Sequence, residues 1–102
     1  MWHGKVLKEK SEQYHQYLIK TGLHDYEKIK GNRGVFLLKK VEETMTHFYT
    51  LTFWKDISAI KKFAGEDYGK AKYYPEDKDF LLEFETFVTH FDVLEKPNYL
   101  NP

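Results

Sequence analysis

The chain has 102 residues, with 16 Lys and Arg balanced by 16 Asp and Glu, 41% hydrophobic and 18% aromatic residues, and no cysteine. That length suits one core of ordinary domain size, and the composition excludes a disordered chain. Balanced charge gives no footprint for nucleic acid or an anionic membrane, no apolar run approaches the roughly 20 residues that span a bilayer, and the missing thiols remove disulfides, thiolate metal sites and a thiol nucleophile together.

The opening Met-Trp-His-Gly-Lys lacks the apolar stretch of a secretory signal, so a cytoplasmic location is the default expectation. Residues 2–6 read as a short strand and 7–21 as a helix, with Leu7, Ser11, Tyr14 and Leu18 at helical spacing and Glu9, Lys10, Glu12 and Gln13 on the other face. Thr21-Gly22 is the expected end of that helix, with one extra helical turn over 23–29. Gly31-Asn32-Arg33-Gly34 signals a loop. Residues 35–41 and 45–54 are strands rich in branched and aromatic side chains, joined at Glu42-Glu43-Thr44 by a hairpin. Asp56 offers an N-cap to a second helix whose stripe is Ile57, Ile60, Phe63 and Ala64, with Gly65 breaking it. A further helical piece is expected over 66–72, Tyr73-Tyr74-Pro75 is a stop, and Pro75 opens a short turn over 75–82. Residues 84–94 read as the last strand and 96–102 as a mobile tail, leaving 1–95 as the domain. The order β-α-β-β-α-β is that of a ferredoxin-like α+β fold, an antiparallel sheet with two helices on one face.

A half-exposed sheet alternates apolar and polar residues, and these strands do not. His47, Tyr49, Leu51 and Phe53 lie opposite Phe48, Thr50, Thr52 and Trp54; Phe36 and Leu38 lie opposite Val35 and Leu37. Two helices cover one face only. The other is expected to be covered by a second copy, sheet against sheet, giving a homodimer; the alternative is that residues 68–82 fold over it.

Of five histidines, His3, His47 and His90 fall on different predicted strands and are the candidate bases of a shared site, since imidazole titrates near neutral pH. No dense ligand motif accompanies them, so no metal is assigned, and the plainer reading of each is a hydrogen-bonded sheet or surface histidine. Trp54 is a candidate wall for a planar ligand, or core; Tyr49, Tyr73 and Tyr74 are candidate donors to a phenolate or quinone oxygen. Asp67, Glu76, Asp77 and Asp79 read as a solvated acidic stretch.

Trp2-His3-Gly4, the Gly31–Val35 stretch Gly-Asn-Arg-Gly-Val, Phe53-Trp54-Lys55-Asp56 leading through Ile60 to Phe63-Ala64-Gly65, Tyr73-Tyr74-Pro75-Glu76 and His90 together resemble the antibiotic biosynthesis monooxygenase-like family, over nearly the whole chain. The family carries several residues before its Trp-His-Gly-like segment. A start at Met1 implies either a short first strand or an annotated start downstream of the true one. The resemblance implies a dimeric α/β barrel with a pocket between sheet and helices in each subunit. It also implies a monooxygenase that oxidises a small aromatic or quinol-like compound without metal, flavin or other cofactor. Phe63 then stands near a pocket position where haem-degrading relatives carry Trp, and Tyr73 and Tyr74 near their haem-ligating His, so the haem pattern is not met. The alternative is a non-catalytic dimeric protein of the same superfamily, small-molecule-binding or structural.

Overall fold

A computed structural model describes residues 1–96. The sheet has three antiparallel strands, β1 (Trp2–Leu7), β2 (Asn32–Val41) and β3 (Met45–Trp54), in the order β1-β3-β2. Even-numbered residues of β1 and β3 point inward: Trp2 and Val6, and Thr46, Phe48 and Thr50, are buried. Gly4, opposite Phe48, has no side chain because none fits: a Cβ there would lie 2.5 Å from the Trp2 indole and 2.8 Å from Leu81. Odd residues of β1 and β3 and even residues of β2 form the other face. Its register sets Phe36 against Leu51, Leu38 against Tyr49 and Lys40 against His47.

Between β1 and β2 the helical run is unbroken where the sequence suggests an end at Thr21-Gly22. A tight turn (Lys8–Lys10) leads into α1 (Ser11–Leu18), a π-helical turn (Ile19–Leu23) and α2 (His24–Lys28). Thr21-Gly22 does not end the helix. The wider turn absorbs both residues, and the Thr21 hydroxyl donates to the Tyr17 carbonyl at 2.8 Å, supplying a partner where the ordinary helical ladder is interrupted. Gly22 is buried, with Tyr26 passing close by it. The chain then turns at Gly31, at φ +101°, where a Cβ would stand 2.6 Å from Cβ of Ala59. Ala59 belongs to α3 (Ile57–Ala64), which Asp56 caps by accepting from the Ala59 N–H at 2.9 Å. The Gly31 carbonyl also accepts from the N–H of Lys55, so this turn is shared by β3 and the start of α3.

No helix forms over 66–72, and 75–82 contributes one short turn (Pro75–Asp79). Residues 68–82 do not cross to the open face: Leu81 joins Trp2, Val6, Tyr14, Leu18 and Phe48 in the core on the helix side. Phe36 and Leu38 therefore stay 47% and 44% exposed on the open side.

The expected last strand, 84–94, is not a strand. It lies along the free edge of β1, with Leu81 bridging Val6, Leu82 N–H donating to Lys5 C=O and Thr89 N–H donating to Met1 C=O. Between those two bonds seven residue steps on one side match four on β1, so no continuous ladder fits. The surplus turns to a neighbouring loop instead: Val88 N–H donates to Gly69 C=O, and the Ala71 N–H donates to Thr86 C=O. The architecture is thus a small α+β fold with a three-stranded sheet, its fourth position occupied by irregular chain. The expected tail at 96–102 lies, Lys96 apart, outside the described residues. Among those described, no helix is long and apolar enough to cross a membrane.

Gly31→Ala combines a forbidden φ with a clash against α3. We expect a loss of about 2 kcal/mol or more, read from urea unfolding, while a loss near zero would show that this turn does not fix α3.

Candidate functional site

A cavity of about 820 Å³ opens between the inner sheet face, the helical run, α3 and the irregular C-terminal half, and its lining runs on to Phe36, Leu51 and Phe53 of the other face. One wall is a cluster of rings. Tyr26 of α2 stacks on Phe63 of α3 at 4.2 Å between centroids and 25° between planes, and the Trp54 indole meets both, at 6.0 Å from Tyr26 and 6.2 Å from Phe63. The Trp54 Nε1–H donates to Thr52 Oγ1 at 2.8 Å, which fixes the indole plane at the end of β3. The opposite wall holds Trp2 and Tyr73, packed edge to face at 6.3 Å. Most of the lining is apolar, as expected of a small-molecule site with few orienting polar groups.

The inner polar group is Thr50. Its side chain is buried at 3% exposure, lines the cavity, and leaves its hydroxyl without a hydrogen-bond partner. A buried hydroxyl left unpaired costs roughly 1–3 kcal/mol, so a ligand oxygen reaching Thr50 would recover that loss. Burial raises the Tyr26 phenol above its ordinary value, with Thr50 acting the other way. The Tyr26 phenol thus stands within reach of the Thr50 hydroxyl, but no contact between them meets hydrogen-bond geometry.

Asp77 anchors the floor. Pro75 starts its turn and Asp77, at the third position, reaches back to accept from the Tyr74 N–H at 2.6 Å. Its other oxygen accepts from the Tyr14 hydroxyl at 2.9 Å. Tyr14 is fully buried among Phe48, Tyr17 and Phe80. Asp77 is only 3% exposed, so the acidic stretch read as solvated is solvated at its flanks but not here. Burial raises its carboxyl above the ordinary value, against the two bonds it accepts, and burial followed by the Asp77 charge pushes the Tyr14 phenol far up. Burial and then the hydrogen bond to Asp25 likewise hold the Tyr74 phenol well above its ordinary value. Tyr73 is raised chiefly by burial. These three phenols stay protonated at neutral pH.

The residues named from sequence separate into two places. Trp54, Phe63, Tyr73, Tyr74 and His90 line the cavity. Tyr73 and Tyr74 have committed their hydroxyls, Tyr73 to the Glu85 carbonyl at 2.7 Å and Tyr74 to Asp25. His3, His47 and Tyr49 sit on the opposite face of the sheet, where His3 Nε2 and His47 Nδ1 meet at 2.8 Å and Tyr49 stacks on His3 at 4.8 Å. The three histidines do not share one site. Among the described residues no three His, Asp or Glu side chains converge as a metal cage. His90 is at the cavity rim, with Nε2 2.8 Å from the Tyr68 carbonyl. A carbonyl only accepts, so Nε2 carries the hydrogen and a neutral His90 keeps its Nδ1 lone pair free. Sequence reasoning does not name Thr50, Tyr26, Tyr14 or Asp77 as site residues; the proline followed two residues later by an acid is the available sign for Asp77.

Comparison with known proteins returns no matching family model, no similar curated protein and no similar solved structure.

Because the Asp77 carboxyl is raised in the folded state, its contribution to stability is full below the ordinary carboxylate range, about pH 4, and is lost as pH rises through the raised value. Asp77→Asn removes that dependence and can still bond both partners. Urea midpoints of wild type and variant should therefore diverge from acid to neutral pH, the wild type losing ground. Parallel curves would mean that Asp77 titrates as a solvated acid.

Proposed function

We propose that the cavity binds a small planar aromatic compound bearing a phenol- or quinol-type oxygen, and that the chain oxidises it as a cofactor-independent monooxygenase. The observation that carries the reading is the ring-walled cavity with one unpaired hydroxyl, Thr50, on its inner wall. Tyr26, Trp54 and Phe63 offer planar surface to a flat ligand, and Thr50 offers its oxygen a partner. The resemblance carried by the segments around Trp2, Gly31, Trp54 and Tyr73 supports the same reaction class.

In that reading His90 is the base, taking the phenol proton on Nδ1 while Nε2 stays bonded to the Tyr68 carbonyl. The phenolate then reduces dioxygen directly. At an activated CH₂ the four electrons and two hydrogens all come from the substrate: one oxygen atom becomes the new C=O and the other leaves as water.

A second reading has its own support. His3 and His47 face away from the cavity, and both cavity tyrosines 73 and 74 are already hydrogen-bonded, which leaves few groups for chemistry and suits a binding module without turnover. Calorimetric titration and oxygen uptake over a panel of hydroquinones and phenols separate the two. We expect binding that weakens by about tenfold in Thr50→Val. We also expect oxygen uptake that falls by about 10² or more in His90→Ala while binding is kept. Binding without uptake selects the module; no binding at millimolar ligand removes both.

We further propose that a second copy covers the open sheet face, completing a two-sheet barrel. Phe36 and Leu38, nearly half exposed, adjoin Leu51 and Phe53 in one apolar field that lies beside the charged end at Lys5 and Lys40. Light scattering after size exclusion should give a dimer at micromolar concentration, and Phe36→Glu with Leu38→Glu should give a monomer. A monomeric wild type would overturn this assembly.

A further inference from the structure

On the open face, away from the cavity, four side chains form one unbranched chain. Glu85 Oε2 meets His3 Nδ1, His3 Nε2 meets His47 Nδ1 at 2.8 Å, and His47 Nε2 meets Glu42 Oε1. The register of β1 on β3 places His3 opposite Tyr49 and Lys5 opposite His47, so the two imidazoles are diagonal neighbours, with rings 5.1 Å apart and 14° from parallel. Glu42 comes from the β2–β3 hairpin and Glu85 from the irregular C-terminal segment.

Hydrogen counting constrains this chain. A carboxylate accepts only, so His3 Nδ1 and His47 Nε2 must each carry a hydrogen, and the contact between His3 Nε2 and His47 Nδ1 needs one more. Three ring hydrogens therefore occupy four ring nitrogens. Two neutral imidazoles bring only two, which leaves one contact with a lone pair facing a lone pair. Four would set N–H against N–H. The quartet closes with two carboxylates and one extra proton shared by the imidazoles, a net charge of minus one. The charged groups facing it are Lys5 on β1, paired with Glu83 at 3.1 Å, and Lys40 opposite His47 on β2; the Tyr49 ring covers His3.

Glu85 is also tied on its other side. Its carbonyl accepts from the Tyr73 hydroxyl, and residues 88–93, just beyond it, line the cavity. The segment's backbone bonds to β1 fall only at its two ends, at Leu82 and Thr89, with Glu85 between them. We propose that Glu85–His3–His47–Glu42 is a one-proton latch that fastens the C-terminal segment, and with it one wall of the cavity, to the edge of β1. The latch does not depend on what the cavity binds.

Imidazole ¹⁵N NMR of the full chain at neutral pH should show three protonated nitrogens among the four of His3 and His47. Glu42→Gln should lower that to two and keep all three contacts, because the new amide can donate to His47 Nε2. His3→Phe keeps the ring stack and removes the contact that reaches Glu85. At matched oligomeric state, amide exchange at Leu82, Val88 and Thr89 should then rise by about tenfold or more, with β3 amides unchanged. Unchanged exchange in His3→Phe, or two protonated nitrogens in the wild type, would overturn the latch. Should His3→Phe fail to fold, the proton counts of wild type and Glu42→Gln decide alone.

Discussion

The contact between Tyr14 and Asp77 holds the two halves of this chain together. Most of residues 66–96 lack regular hydrogen bonding of their own, so side chains must set their place. Tyr14 sits at the centre of the core, between Phe48 of the sheet and Phe80 of the C-terminal half, and its hydroxyl is satisfied by one buried carboxylate. That carboxylate in turn closes the turn that brings Tyr73, Tyr74 and Leu81 into position. A fully buried phenol needs such a partner, and a buried acid needs such donors; each makes the other tolerable. The cavity is the space left between this clasp and the ring cluster of Tyr26, Trp54 and Phe63.

The two faces of the sheet divide the polar work. The helix side carries a ring-lined space with the unpaired Thr50 hydroxyl on β3. The open side carries an apolar field at one end and a fully connected chain of imidazoles and carboxylates at the other. The same strand residues alternate between these tasks, so Tyr49 and His47 are separated from Thr50 and Phe48 by the thickness of the sheet alone. The irregular segment 82–96 touches both sides, through the carboxylate and the carbonyl of Glu85.

Much of the regular structure was legible in the sequence because it is local. β3 spans 45–54 as read, the hairpin at 42–44 closes as read, and Asp56 caps α3. What escaped was settled by competition between distant parts. Gly22 carries the sign of a helix end, but burial beneath Tyr26 favours continuing through a wider turn. Residues 84–94 have a strand's composition, yet the Gly69–Ala71 backbone captures the bonds that β1 would have received. Cavity residues could be named only in part, since both sheet faces are apolar and the sequence does not say which one the helices cover. His3 and His47 could be placed on strands, while their meeting depends on the pairing of β1 with β3, which no turn between them dictates.

The π-helical turn at Ile19–Leu23 has a geometric effect downstream. An α-helix advances by about 100° per residue, so one additional residue in a turn re-aims everything that follows by that angle. Excising a single residue there would regularise the rod and leave α1 undisturbed. It would also swing the Tyr26 ring away from Phe63 and Trp54 and dismantle the aromatic wall. The bulge therefore works as an angular offset between the half of the rod that builds the core and the half that shapes the ligand space, and chain length within it is more constrained than residue identity.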